Sequence, residues 1–313
     1  MKSLIILLTL GTLLAAPAVL PAKIIRTVEK AFTVQPGGNF KAATQGGDIT
    51  IRTADTSEVR ILVKQVVKAS SEQEADEILA KLTLTLEQTG NDVTAESKYE
   101  KRPGGSWFGN WPPVSVSFEV TVPKNFNLNL NTSGGDITAA SVQGNVRART
   151  SGGNMKFDRV DGEIDAHTSG GDIVLREGTA RAKLGTSGGD IVIDRAGGPT
   201  EVATSGGDIR INSVAQLISA TTSGGDVHAV ITEALKRDTV LSTSGGDVEV
   251  EMVKGAGFQL DASTSGGDVN ASGLTITIEK GGTGKSKLVG AVNGGGPLLK
   301  LRSSGGNVTV HSK

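Results

Sequence analysis

From residue 132 onward, apolar residues two apart recur after a Gly-Gly-Asp or Gly-Gly-Asn tripeptide. Examples are Ile137/Ala139, Met155/Phe157, Ile173/Leu175, Ile191/Ile193, Ile209/Ile211, Val248/Val250 and Val308/Val310. The same alternation precedes the tripeptide at Val146/Ala148, Ile164/Ala166, Leu260/Ala262 and Leu299/Leu301. A period of two is that of a strand with one buried face. Apolar stripes of helical spacing are missing from this region.

The tripeptide belongs to a pentapeptide, Thr-Ser-Gly-Gly-Asp/Asn, that starts at Thr132, Thr150, Thr168, Thr186, Thr204, Thr222, Thr243 and Thr264. Five consecutive spacings are 18 residues and the next two are 21. Ser303-Ser304-Gly305-Gly306-Asn307 follows after 39, which predicts a degenerate copy near Lys285–Arg302. Thr44-Gln45-Gly46-Gly47-Asp48 stands as an isolated outlier upstream.

Each repeat reads as two short strands with a Gly-Gly corner; a second corner lies near Val142-Gln143-Gly144 or Val160-Asp161-Gly162. One repeat cannot bury its apolar face, but a stack of repeats can. The predicted fold is therefore all-β: a single-stranded β-solenoid, or β-helix, with rungs of 18–21 residues. About ten rungs at ~4.8 Å each would make a rod roughly 50 Å long. Parity turns the Thr column inward and the Ser and Asp columns outward. The glycines are expected to supply positive φ at the corner, Gly188 and Gly189 among them.

Residues 23–131 break the period. Extended segments are predicted over Lys23–Gln45, with Val28, Phe32 and Val34, and around Val59–Val63, Leu82–Leu86, Val114–Val122 and Phe126–Leu130. Ser71-Glu72-Gln73-Glu74 resembles a capping box, and Ala75, Ile78, Leu79 and Leu82 share a face, predicting a helix near 71–81. This region reads as a small strand-helix-strand cap on the solenoid of residues 132–313.

Residues 1–22 read as a secretory signal peptide. A positive start at Met1-Lys2-Ser3 precedes an apolar run from Leu4 to Leu14 and the small-x-small site Ala16-Pro17-Ala18. The run is shorter than the ~20 residues of a membrane span. The chain is thus expected to be exported to the periplasm, cell surface or extracellular space, with no membrane span after cleavage. The formal net charge of -1, from 32 Lys+Arg and 33 Asp+Glu, argues against nucleic acid or an anionic membrane as main partner. The lack of Cys excludes disulfides, thiolate metal sites and a Cys nucleophile.

Together, the signal, the early Gly-Gly-Asp-Ile strand, the helix and the Ser-Gly-Gly-Asp repeats resemble a family of bacterial secreted putative adhesins, a β-solenoid domain of unknown function. The resemblance covers roughly residues 23–313. It implies a right-handed solenoid at the cell envelope and carries no catalytic residues to transfer.

Two features could carry chemistry. The outward column Asp136, Asp172, Asp190, Asp208, Asp226, Asp247 and Asp268 could hold a row of Ca²⁺ ions, each needing six to eight oxygen ligands. Alternatively, each Asp accepts hydrogen bonds from turn amides, and Asn154 and Asn307 in the same column favour this reading. The segment 102–113 holds Trp107, Phe108 and Trp111 among Pro and Gly. Its aromatics could form a binding surface or fold back onto the solenoid end. His167, His228 and His311 match no metal spacing and read as surface residues. The Thr column would be an ice-binding array only if it faced outward. No cofactor is expected.

The function expected is a non-enzymatic envelope protein, an adhesin or structural/interaction protein whose partner is a cell-surface glycan or an envelope protein. The alternatives are a polysaccharide-active enzyme on the same scaffold, recognisable by one irregular rung with paired carboxylates, and an envelope-stress accessory protein.

Overall fold

The computed structural model describes residues 22–99 and 113–312. The strands join into one continuous sheet that winds around an apolar interior. Two parallel ladders form its main faces.

In the first ladder, Asn39–Thr44, Asn127–Thr132, Val146–Arg149, Ile164–His167 and Ala182–Gly185 lie side by side. Their inward residues stack in columns: Phe40, Leu128, Val146, Ile164 and Ala182, then Ala42, Leu130, Ala148, Ala166 and Leu184, all 2% exposed or less. The second ladder runs through Ile49–Ala54, Ile137–Ala139, Met155–Val160, Ile173–Gly178 and the start of Ile191–Ala203. Ile49, Ile137, Met155, Ile173 and Ile191 form its inner column. Pairs such as Val146↔Ile164 and Ile164↔Ala182 are offset by the 18-residue repeat. Burying such side chains stabilises each by roughly 1.5–3 kcal/mol gross, so stacking is driven by the columns and not by any single rung.

The order of rungs in space departs from the order in sequence at both ends. Asp92–Tyr99 and Val114–Pro123 form the outermost rung, and the earlier Asn39–Ala54 rung is inserted between them and Asn127–Ala139. Thr44–Asp48 is therefore no outlier: Thr132 Oγ1 donates to the Gly47 carbonyl at 2.8 Å and the Asp136 amide to Asp48 Oδ1 at 2.9 Å. At the other end the last strands, Leu298–Ser303 and Val308–Ser312, slide between Thr239–Met252 and Phe258–Ser272.

The 39-residue gap has the same origin. Residues 285–302 hold no degenerate rung. Lys287–Val292 runs antiparallel to both Phe258–Thr264 and Ile276–Gly284, closing that end with an antiparallel ribbon. An antiparallel return needs only a tight connection, whereas another parallel rung would need a full circuit.

Antiparallel ribbons cover the N-terminal end as well. Ala22–Thr33 pairs with Glu58–Ala69, which pairs with Val114–Pro123. Leu82–Thr89 pairs with Asp92–Tyr99, a strand that the sequence pattern had not marked. The helix Glu72–Leu79 joins the two ribbons and rests on Glu58–Ala69 through Ala75. Its Ser71 side chain accepts from the Glu74 amide, while Glu74 reaches back to the Ser70 amide and hydroxyl. The ribbons cover the ends of the parallel stack, and the remaining one-sided edges lie on antiparallel strands such as Ala22–Thr33 and Leu82–Thr89.

Candidate functional site

Most of the conspicuous residues lie at the repeated corner. Each Thr is buried and bonds across to the neighbouring rung: Thr150 to the Gly135 carbonyl at 3.0 Å, Thr168 to Gly153 at 2.9 Å, Thr186 to Gly171 at 2.8 Å. The same hydroxyl accepts from the second glycine of its own corner, as with the Gly189 amide at 3.4 Å. An inward, doubly bonded hydroxyl is closed to an external lattice such as ice.

The Asp column is a ladder. Asp136 Oδ1 accepts from the Asn154 amide at 2.7 Å, Asn154 Oδ1 from Asp172 at 2.8 Å, and Asp172 Oδ1 from Asp190 at 2.9 Å. Asp190 accepts in turn from Asp208, Asp208 from Asp226, Asp226 from Asp247, Asp247 from Asn307, and Asn307 from Asp268. The bonded amide is that of the adjacent rung, not that of the residue's own turn. Asn fits because only a side-chain oxygen acceptor is required.

The glycines do not supply positive φ at this corner; left-handed glycines occur elsewhere, at Gly37, Gly90, Gly255, Gly273 and Gly294–Gly296. The reason for the second glycine is proximity. A Cβ on Gly189 would overlap the Gly171 carbonyl and the Asp172 carboxylate, and one on Gly153 would overlap Gly135. The first glycine is less confined: a Cβ on Gly134 meets nothing within 4 Å and one on Gly188 comes to 3.3 Å from Gly170 O.

A cleft of about 800 Å³ lies on the outer face of the first ladder. It runs across the strands from Asp92–Tyr99 to Ala182–Gly185, about 24 Å at ~4.8 Å per strand. Strand register sets its floor: Thr94, Lys41, Asn129, Arg147, Asp165 and Lys183 form one outward row. A second row begins as a ladder in which Asn39 Oδ1 accepts from Asn127 Nδ2 at 3.0 Å, Asn127 Oδ1 from the Asn145 amide at 2.9 Å, and Asn145 Oδ1 from the Glu163 amide at 2.8 Å.

One rung of this face differs from its neighbours. Asp165 Oδ2 accepts from Arg149 Nη2 at 2.7 Å, and its other oxygen lies 3.0 Å from His167 Nδ1. Neither of those two atoms makes a well-directed hydrogen bond, and both are shielded from solvent. Burial raises the Asp165 pKa, but the Arg149 hydrogen bond and charge, with His167 and Arg147, hold it below the usual carboxylate range. Burial and then Arg149 push His167 below the usual imidazole value, against the opposing pull of Asp165. Gly185 creates room for the ring: a Cβ there would lie 2.7 Å from His167 Cδ2.

The other histidines also face carboxylates, His228 near Glu249 at 3.8 Å and His311 near Glu251 at 3.6 Å, on the second ladder. Among the described residues no group of three or more His, Asp or Glu could hold a metal ion. No described helix is long and apolar enough to cross a membrane. Trp107, Phe108 and Trp111, and residues 1–21 of the signal-like segment, lie outside the described residues.

Sequence reading did not find the cleft, although a signal was present. Asn129, Arg147, Asp165 and Lys183 are spaced at the repeat interval of 18, so the repeat register alone places them in one row. The conspicuous residues of the sequence are those that repeat, and the cleft is built from those that do not.

No curated protein sequence matches the chain. Among solved structures it is similar to a putative adhesin from Parabacteroides distasonis ATCC 8503, with 12% identity, TM-score 0.46, and coverage of 92% of this chain and 97% of that one. It is similar to a putative lipid binding protein from the same strain, with 13% identity, TM-score 0.45, and coverage of 91% and 96%. A putative adhesin from Bacteroides fragilis NCTC 9343 shares 11% identity, with TM-score 0.40 and coverage of 92% and 97%. The family model Toastrack DUF4097 matches residues 40–311. With most of its length matched, the chain belongs to the Toastrack DUF4097 family.

Proposed function

We propose that this protein is an exported, non-enzymatic contact protein of the bacterial envelope, adhesin-like in its action. On this reading residues 1–22 are removed, the antiparallel ribbons within residues 23–131 cap one end while Asn39–Ala54 joins the rungs, and the remainder coils right-handedly in rungs of 18–21 residues. The observation that carries the proposal is the division of labour on the surface. The repeated Thr, Gly and Asp are engaged between rungs, while the cleft on the first ladder displays a varied set of polar side chains. Such a rod holds a recognition face rigidly without altering its scaffold. Trp107, Phe108 and Trp111 form a second contact surface in this proposal, and the Asp column serves the turns and not calcium.

The test is binding of residues 23–313 to a glycan array and to intact bacterial cells, beside a variant lacking residues 103–113. Saturable binding supports an adhesive module, and its loss in the variant assigns the contact to the Trp segment. No binding by either removes the adhesive role.

A second reading, a polysaccharide-active enzyme, is favoured by one observation: the Asp165–His167 pair stands with Glu163 on the same irregular rung. A poised imidazole next to a carboxylate is the kind of group that moves protons. Release of reducing ends from a bound glycan, lost in His167→Gln, would establish it.

A further inference from the structure

We propose that the cleft binds a linear polysaccharide bearing a carboxylate on every second sugar, an inference that rests on the adhesive reading and names its ligand. The cations of the floor are not equivalent. Lys41 is neutralised by an ion pair with Glu96. Asp165 is held by Arg149 at 2.7 Å, and Arg147 reaches it only at 4.0 Å through Nε. Lys183 has no ion pair or hydrogen bond among the described residues. Arg147 and Lys183 thus keep donor groups for a ligand, and both are exposed.

Register sets their separation. They lie on strands either side of Ile164–His167, about 10 Å apart at ~4.8 Å per strand. That distance is close to the length of two linked pyranose rings. Asp165 stands between them with one oxygen held by Arg149 and the other shielded from solvent, so the intervening sugar meets no free cation and a carboxylate there is disfavoured. Asn129 extends the row beyond Arg147 with another neutral polar group. Two free cations on either side of a position without one therefore select alternating charge along an extended chain. A nucleic acid fits poorly: Glu163 and Asp92 also line the cleft, and its one aromatic, Phe40, is fully buried and offers no stacking surface. A lipid surface fits poorly as well, because the outward rows are polar.

The experiment is titration calorimetry of residues 23–313 with hyaluronan oligosaccharides, which carry one carboxylate per disaccharide. Polygalacturonate oligosaccharides, charged on every sugar, and neutral cello-oligosaccharides serve as comparison. Hyaluronan should bind tightest and weaken with salt. The double variant Arg147→Gln/Lys183→Gln should lose about ten-fold or more, with an unchanged thermal melt, while Arg147→Lys/Lys183→Arg keeps most of the affinity. Asp165→Asn should narrow the preference over polygalacturonate. If the double variant does not fold, the two single variants carry the same comparison. Equal binding of hyaluronan and polygalacturonate, or no loss in the folded charge variants, overturns the proposal. Binding to cells without binding to hyaluronan overturns it and leaves the adhesive reading standing; no binding to cells or to any glycan overturns both.

Discussion

The Gly-Gly-Asp corner and the cleft on the first ladder occupy neighbouring sides of the same rungs, yet they use their residues in opposite ways. At the corner, one residue type per column is repeated because every rung meets an identical rung. Thr186 bonds to Gly171, Asp172 accepts from the Asp190 amide, and Gly189 lies against Gly171. In the cleft the equivalent positions of successive rungs hold Asn129, Arg147, Asp165 and Lys183. Apart from Asp165, which Arg149 ties to the neighbouring rung, these outward side chains carry little of the stacking, so they are free to differ. The repeated residues of a solenoid are its scaffold, and its recognition chemistry is found where the repeat is broken.

The strongest way to break this contrast is at the second glycine. Gly189→Val is expected to destabilise the fold by about 3 kcal/mol or more, since its Cβ overlaps backbone that is fixed on both sides. Gly134→Ala, where a Cβ meets nothing, should shift the melt only slightly. Equal losses from the two would show that backbone conformation, not proximity, requires the glycines.

A smaller loss is expected at the threonines. Thr186→Val keeps the shape and strands the Gly171 carbonyl and the Gly189 amide, which should cost about 1–3 kcal/mol in a denaturant titration. The Asp ladder should be worth less. Asp190→Ala removes an exposed acceptor at about 1 kcal/mol, whereas Asp190→Asn retains it and should be close to neutral. EDTA should leave the melting temperature of the wild type unchanged; a marked fall would assign the column to calcium and not to the ladder.

The smallest effect concerns the irregular rung. His167 has its folded pKa depressed, so the unfolded chain takes up the proton more readily. Its contribution is fully present above the unfolded value of ~6.5 and is lost as pH falls through that value toward the folded one. Asp165, also depressed, adds a loss in the same direction in the acid range where carboxylates titrate. Melting temperature should therefore decline from about pH 7.5 to about 5.5, and His167→Gln should flatten the decline. An identical slope in the variant would locate the pH dependence elsewhere.

The sequence by itself determined the repeating strands, the inward Thr, the outward Asp and the helix start at Ser71. All of these follow from period-two alternation and local capping chemistry, which act within a few residues. The family resemblance followed from the same repeats. Only the tertiary structure decided the order of rungs. Every corner presents the same Thr, Gly and Asp groups, so Thr132 can stack on Gly47 as well as on a sequence neighbour, and no local signal distinguishes the two. The strand Asp92–Tyr99 was illegible because its alternation, Val93, Ala95, Ser97 and Tyr99, includes a buried serine whose hydroxyl bonds to Thr44 from another rung. The role of the second glycine was hidden for a related reason: a close approach between rungs leaves no mark in a single chain segment. The cleft, likewise, exists only once residues 18 apart stand side by side, and its chemistry belongs to the row and not to any one of its members.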